Sequence, residues 1–126
     1  MRLIREFTSY GVAEDISAKM SSIFPHVSLR GTSLFASSLT DRGGNPVVRI
    51  DSKNPIRALF IKFGEGSIEI KSLVNSEESP GLSKEIMNAF VEVLPEGYSI
   101  IVDQDVSDGF WDYMMKRYPQ FEWSKK

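Results

Sequence analysis

Residues 67–93 constrain the fold more than any other stretch. They read SIEIKSLVN, then SEESPGLS, then KEIMNAFVEV. The first part alternates apolar and polar residues, the mark of a half-buried strand. The middle is a polar loop around Pro80 and Gly81. The last part spaces Leu82, Ile86, Phe90 and Val93 or Leu94 three or four apart, which puts them on one helix face. Ser79 is a candidate cap, and Pro80 suits the first helical position. A strand that opens through a glycine loop into a helix leaves free backbone N–H groups at the helix start. Those groups, with the positive end of the helix dipole, favour an anion such as phosphate.

The rest of the chain supplies partners for this unit. Residues 2–7 alternate loosely and suit a first strand. Residues 8–24 have helical spacing, with Val12, Ile16, Met20 and Ile23 on one face and Ala13 and Phe24 widening it. Pro25 stops that helix. A second strand covers residues 26–30 or 33–39. The DRGGN segment at 41–45 is a turn, joining a strand at 34–40 to one at 46–51. Residues 57–63 and 68–71 alternate on either side of Gly64-Glu65-Gly66, an antiparallel hairpin signal. Residues 98–102 (YSIIV) are a short apolar run, as expected of a strand buried on both faces. A helix over 110–118 and an edge strand over 120–124 complete the chain.

This order, β-α-β-β-β-β-α-β-α-β, predicts one α/β (α+β) domain over residues 1–126. The strand–helix–strand piece at 68–102 favours a parallel, right-handed crossover, and the earlier strands favour hairpins. The simplest packing is a mixed, mostly antiparallel sheet with a central parallel crossover and helices on both faces.

Composition narrows the function. A chain of 126 residues fits one core, and 41% hydrophobic with 25% charged residues is an ordinary globular balance. The net charge is −2 and the basic residues are scattered, so no nucleic-acid or anionic-membrane partner is expected. With no cysteine, disulfides and thiolate metal sites are excluded. No apolar run approaches the ~20 residues of a membrane helix. The opening MRLIREFTSYG breaks its apolar residues with Arg5 and Glu6, unlike a signal peptide. A cytoplasmic location is the expectation.

Over residues 73–115 the chain resembles the GNAT superfamily of acyl-CoA-dependent N-acetyltransferases, and the element order agrees across nearly the whole chain. That family's pyrophosphate loop reads Arg or Gln, two residues, Gly, one residue, Gly or Ala. Here the stretch is Glu78-Ser79-Pro80-Gly81-Leu82-Ser83. Gly81 fits, Ser83 is small where a small residue is wanted, and Glu78 replaces the basic or amide residue. Further on, the family shows Asn, two residues, Ala, two residues, Phe-Tyr. Gln104, Ser107 and Phe110-Trp111 stand at that spacing.

The resemblance implies a GNAT-like fold that transfers an acetyl group from acetyl-CoA to an amine, on a small molecule or a protein. It implies that Leu73, Val74, Ser79, Gly81, Leu82, Ser83 and Lys84 hold the acetyl-CoA. It implies that Glu69 deprotonates the amine, directly or through water. The family's second aromatic, a Tyr, serves as general acid near the CoA sulfur. The indole N–H of Trp111 is not usefully acidic, and Tyr113, turned about 200° from it around a helix, is the catalytic candidate that remains beside Glu69. Glu78 and Trp111 also fit an alternative: a non-catalytic GNAT-like domain acting as a protein-interaction module or inhibitor.

Other chemistry-bearing residues read as structural. His26 is the only histidine and follows Pro25 in a turn, with no nucleophile elbow nearby. Asp103, Asp105 and Asp108 lack the Gly and terminal Glu of a calcium loop, so no metal is expected, and Asp105 or Ser107 suits a helix cap. The aromatics from Phe110 to Trp123 have no basic stripe among them and suit core plus a partner-facing patch.

Overall fold

A computed structural model describes residues 9–126 apart from 104, 106 and 108. The expected first strand at 2–7 and the Gln104 and Asp108 positions lie outside the described residues. Helix α1 (Ser9–Met20) leads into the hairpin β1 (His26–Arg30) and β2 (Ser33–Ser37). A long connection reaches a second hairpin, β3 (Arg57–Gly64) and β4 (Ser67–Asn75). Then follow α2 (Leu82–Val93), β5 (Ser99–Val102), α3 (Phe110–Arg117) and β6 (Glu122–Lys125).

The six strands form one mixed sheet in sequence order. The β1–β2, β2–β3 and β3–β4 pairs are antiparallel, and β4–β5 and β5–β6 are parallel. Two right-handed crossovers that step the same way along a sheet put both helices on one face. The core agrees. Val12, Ile16 and Met20 of α1, Ile86 and Phe90 of α2, and Trp111 and Met114 of α3 are buried in one cluster with Leu34, Leu59, Ile61, Ile68, Ile70 and Ile100 of the sheet. All three described helices therefore lie on one face, against the expectation of helices on both.

The opposite face carries Phe35 and Phe60, stacked at 4.6 Å between ring centroids. Segment 46–51 crosses near it, tethered by the Ser72 hydroxyl, which donates to the Val48 carbonyl at 3.2 Å. The strand expected at 46–51 is absent. Only an isolated bridge joins Thr40 to Pro46. The physical reason is that β2 is already paired on both sides, by β1 and β3, so the segment that turns back from it finds no free edge of β2. The DRGGN turn forms as expected, closed by Asp41, whose carboxylate accepts from the Gly43 and Asn45 amides.

The expected Ser79 cap is replaced, and the expected Ser107 cap acts from outside the N-cap position. Gly81 and Gly109 stand at the N-caps of α2 and α3 in left-handed conformation, φ 78° and 84°, and supply no side-chain cap bond, while at α3 the Ser107 hydroxyl accepts from the Trp111 amide at 3.5 Å. Glycine adopts that conformation without the cost other residues incur. Ser79 and Pro80 lie before the N-cap of α2, in the loop that β4 needs in order to turn back.

Candidate functional site

Strand β4 changes register against β3 in its middle. Ile61 faces Ile70, but Phe60 faces Ser72, so Lys71 is an extra residue without a partner on β3. Such a bulge bends its strand and sharpens the local twist. It also resets the alternation. Ile70 and Leu73 both sit opposite buried residues of β3, Ile61 and Leu59, while Lys71 and Ser72 intervene. Plain alternation would have set Ser72 with Ile70.

Pairing of β4 with β5 ends at the same place. The last register pair is Ile70 with Val102, closed by the Asp103 amide donating to the Ile70 carbonyl at 3.0 Å. Beyond it β4 runs on to Asn75 with no strand on its β5 side among the described residues. The two strands part, and a cavity of about 530 Å³ opens between them. That volume lies within the ~300–1,000 Å³ usual for ligand pockets. One wall is β4 from Ile70 to Asn75. The others are Val102 at the end of β5 and Asp103 after it, Leu82 and Ser83 at the start of α2, and Ser107 before α3 with Phe110 and Trp111 in its first turn, with Ile50 at the margin.

Four of the expected ligand-binding residues line this cavity: Leu73, Val74, Leu82 and Ser83. Ser79, Gly81 and Lys84 do not. Ser79 belongs to a closed loop instead. The Asn75 side chain accepts from the Ser79 amide at 2.9 Å and donates to its carbonyl at 3.0 Å. Within that loop Glu78 has φ 55°, left-handed for a non-glycine residue. Gly81 accepts from the Glu85 amide at 2.9 Å, the first bond of α2. The α2 amides just after Gly81 are first-turn donors, which an α-helix leaves without intrahelical partners.

The loop acids divide. Glu77 turns toward β3, where Arg57 Nη1 meets its carboxylate at 3.1 Å. Hydrogen bonds from Ser38 and Arg57 hold its carboxyl below the ordinary range. Glu78 is exposed.

The two expected catalytic residues fall elsewhere. Tyr113 is 62% exposed on α3 and is not a cavity wall. Glu69 lies outside the cavity lining too, opposite Lys62 in the β3–β4 register. Its carboxylate receives Lys126 Nζ at 3.0 Å and Lys71 Nζ at 3.1 Å. Those two ammonium groups hold its pKa below the usual carboxylate value. Lys71 also meets Asp103 at 2.9 Å, and the two carboxylates raise its own pKa. A second pair of acids, Asp105 and Asp112, meets Lys125 at 2.8 and 2.7 Å.

Sequence reasoning missed Lys71, Asn75 and Asp103 as parts of the site. Asn75 had a usable signal: an Asn closing a strand before a Ser/Pro/Gly loop is a candidate to hydrogen-bond the backbone of the turn. Lys71 had none, because the bulge depends on pairing with β3. His26 opens β1 and is exposed. Among the described residues, no group of three or more His, Cys, Asp or Glu could hold a metal, and no helix is long and apolar enough to cross a membrane.

No family model, no curated protein and no solved structure matches this chain.

Proposed function

We propose that the splay between β4 and β5 binds an acyl-CoA and that the chain is a divergent GNAT-type N-acetyltransferase, with an amine as acceptor. One observation carries the reading. The Lys71 bulge and the end of β5 pairing coincide, so a free strand edge, an apolar cavity and a helix start converge. A pantetheine arm is a chain of amides, and a free β edge offers it alternating donors and acceptors. The apolar walls at Leu73, Val74 and Leu82 suit the thioester end. The first amides of α2 suit a pyrophosphate, with Lys84 one turn in. Glu77 opposes this less than its charge implies, since Arg57 neutralises it.

In the transfer, the amine nitrogen bonds to the thioester carbonyl carbon, the C–S bond breaks, and the sulfur leaves as CoA thiol. The amine gives up one proton. Glu69 is a weak candidate to take it while two ammonium groups hold the carboxylate. With Glu69 held in this way, solvent water is left to take that proton, and the departing sulfur gains one to become the thiol.

The ion-paired Glu69 and Trp111 in the cavity wall also favour a second reading, a GNAT-like domain that binds a protein without catalysis. Incubation with acetyl-CoA and a panel of amines, read by release of free thiol, separates the two. Amine-dependent thiol release supports transfer. Acetyl-CoA binding without release, or no binding at all, supports the second reading.

A further inference from the structure

We infer that Trp111 sets the length of acyl group the splay accepts, restricting it to a short one; this rests on the acyl-CoA reading above. The main cavity does not end in solid core. Adjoining it is a small, partly open crevice of about 10 Å³, and the two share Ile70, Leu73, Ser83, Phe110 and Trp111 as walls. The crevice's other walls are apolar side chains of β3, α2 and α3. A space of that size holds one water at most. The apolar path from the splay therefore continues toward the core, and a shared wall interrupts it.

Trp111 is the largest side chain of that wall. It is 8% exposed and locked on both sides. The Phe110 ring meets it edge-on at 4.9 Å, and the Trp123 ring lies 6.2 Å away. Trp123 is itself fixed, its indole N–H donating to the Tyr118 carbonyl at 2.8 Å. The indole is thus a rigid partition. An acetyl methyl needs no space beyond it, whereas a longer chain does. Cutting the indole back joins crevice and cavity into one apolar channel.

The test is calorimetric titration of free CoA, acetyl-CoA and octanoyl-CoA into wild type, Trp111→Ala and Trp111→Leu, with folding checked by circular dichroism. Wild type is expected to bind acetyl-CoA at least tenfold tighter than octanoyl-CoA, about the discrimination a methylene or two carries at an apolar pocket. Either folded variant is expected to move that ratio roughly tenfold or more toward octanoyl-CoA, with free CoA affinity little changed. If wild type binds both thioesters equally, the partition does not exist and the inference fails, whether or not the variants fold. If a folded variant binds CoA with an unmoved ratio, Trp111 is not the determinant and the acyl-CoA reading survives. If wild type binds none of the three, that reading falls and this inference with it.

Discussion

Lys71 Nζ lies 2.9 Å from Asp103 Oδ2 and ties β4 to the chain leaving β5 at the point where the two strands part. The same ammonium meets Glu69, and Lys126 joins from the end of the chain. The bulge that makes Lys71 an extra residue on β4 thus also sets the ion pairs at the mouth of the splay. Charge here braces the cleft.

Glu69→Gln is expected to leave turnover within tenfold of wild type. Removing a working general base typically costs about 10²–10⁴-fold. Glu69 is held ionised by two ammonium groups, which lowers its pKa and weakens it as a base. Steady-state rates at saturating amine check this. A loss of a hundredfold or more, with the acid limb of the pH profile gone, would restore Glu69 as the base.

Asp105→Asn is expected to flatten the acid limb of stability. Hydrogen bonds from Lys125 and Ser107 lower the Asp105 pKa from 3.8 to about 2. A carboxyl with a depressed folded pKa contributes stability above its unfolded pKa, and that contribution is lost as pH falls through the folded value. The window here is about pH 4 down to about 2. Urea midpoints across it should fall less steeply in the variant. Parallel curves would show that these bonds do not persist in solution.

Gly81→Ala is expected to destabilise the fold by about 1–2 kcal/mol, the cost of a left-handed non-glycine residue. Sterics add nothing, since a Cβ there meets no heavy atom within 4 Å. Gly81→Val should cost more and should also weaken CoA binding, because its branched side chain would stand at the helix start. Chemical denaturation and calorimetry together check this. Unchanged CoA affinity in a folded Gly81→Val protein would make the loop a helix start and nothing else.

Glu78→Arg is expected to tighten CoA binding roughly two- to fivefold, the scale of one exposed charge interaction, and to lose that gain in high salt. Glu78→Gly should instead act on stability by relieving the φ of 55°. An Arg variant with wild-type affinity would place Glu78 away from the phosphates.

Much of this fold was legible in the sequence, and the illegible parts share a cause. The helices at Val12–Met20 and Leu82–Phe90 show in their spacing, and the 57–63/68–71 hairpin shows in its alternation. Those are local patterns. The expected strand at 46–51 failed because a strand needs a free edge, and which edges are free is decided by the whole sheet. Single-sided helix packing follows from two crossovers stepping the same way, which required knowing that β6 runs parallel to β5. The site divides likewise. Leu73, Val74, Leu82 and Ser83 line the cavity, and they were legible because they flank a readable strand–loop–helix unit. Lys71 was missed because a bulge exists only relative to a partner strand. Glu69 was placed on the right strand, but its role depends on Lys126, 57 residues away in the chain.

The measurement closest to the central claim is calorimetric titration of wild type with acetyl-CoA. Saturable one-site binding is expected, with a melting temperature that rises with acetyl-CoA concentration, since a ligand that binds only the folded state stabilises it by mass action. Saturable heat with a matching melting shift is the supporting result. Absence of both heat and shift at millimolar acetyl-CoA would contradict the claim that the β4–β5 splay is an acyl-CoA site.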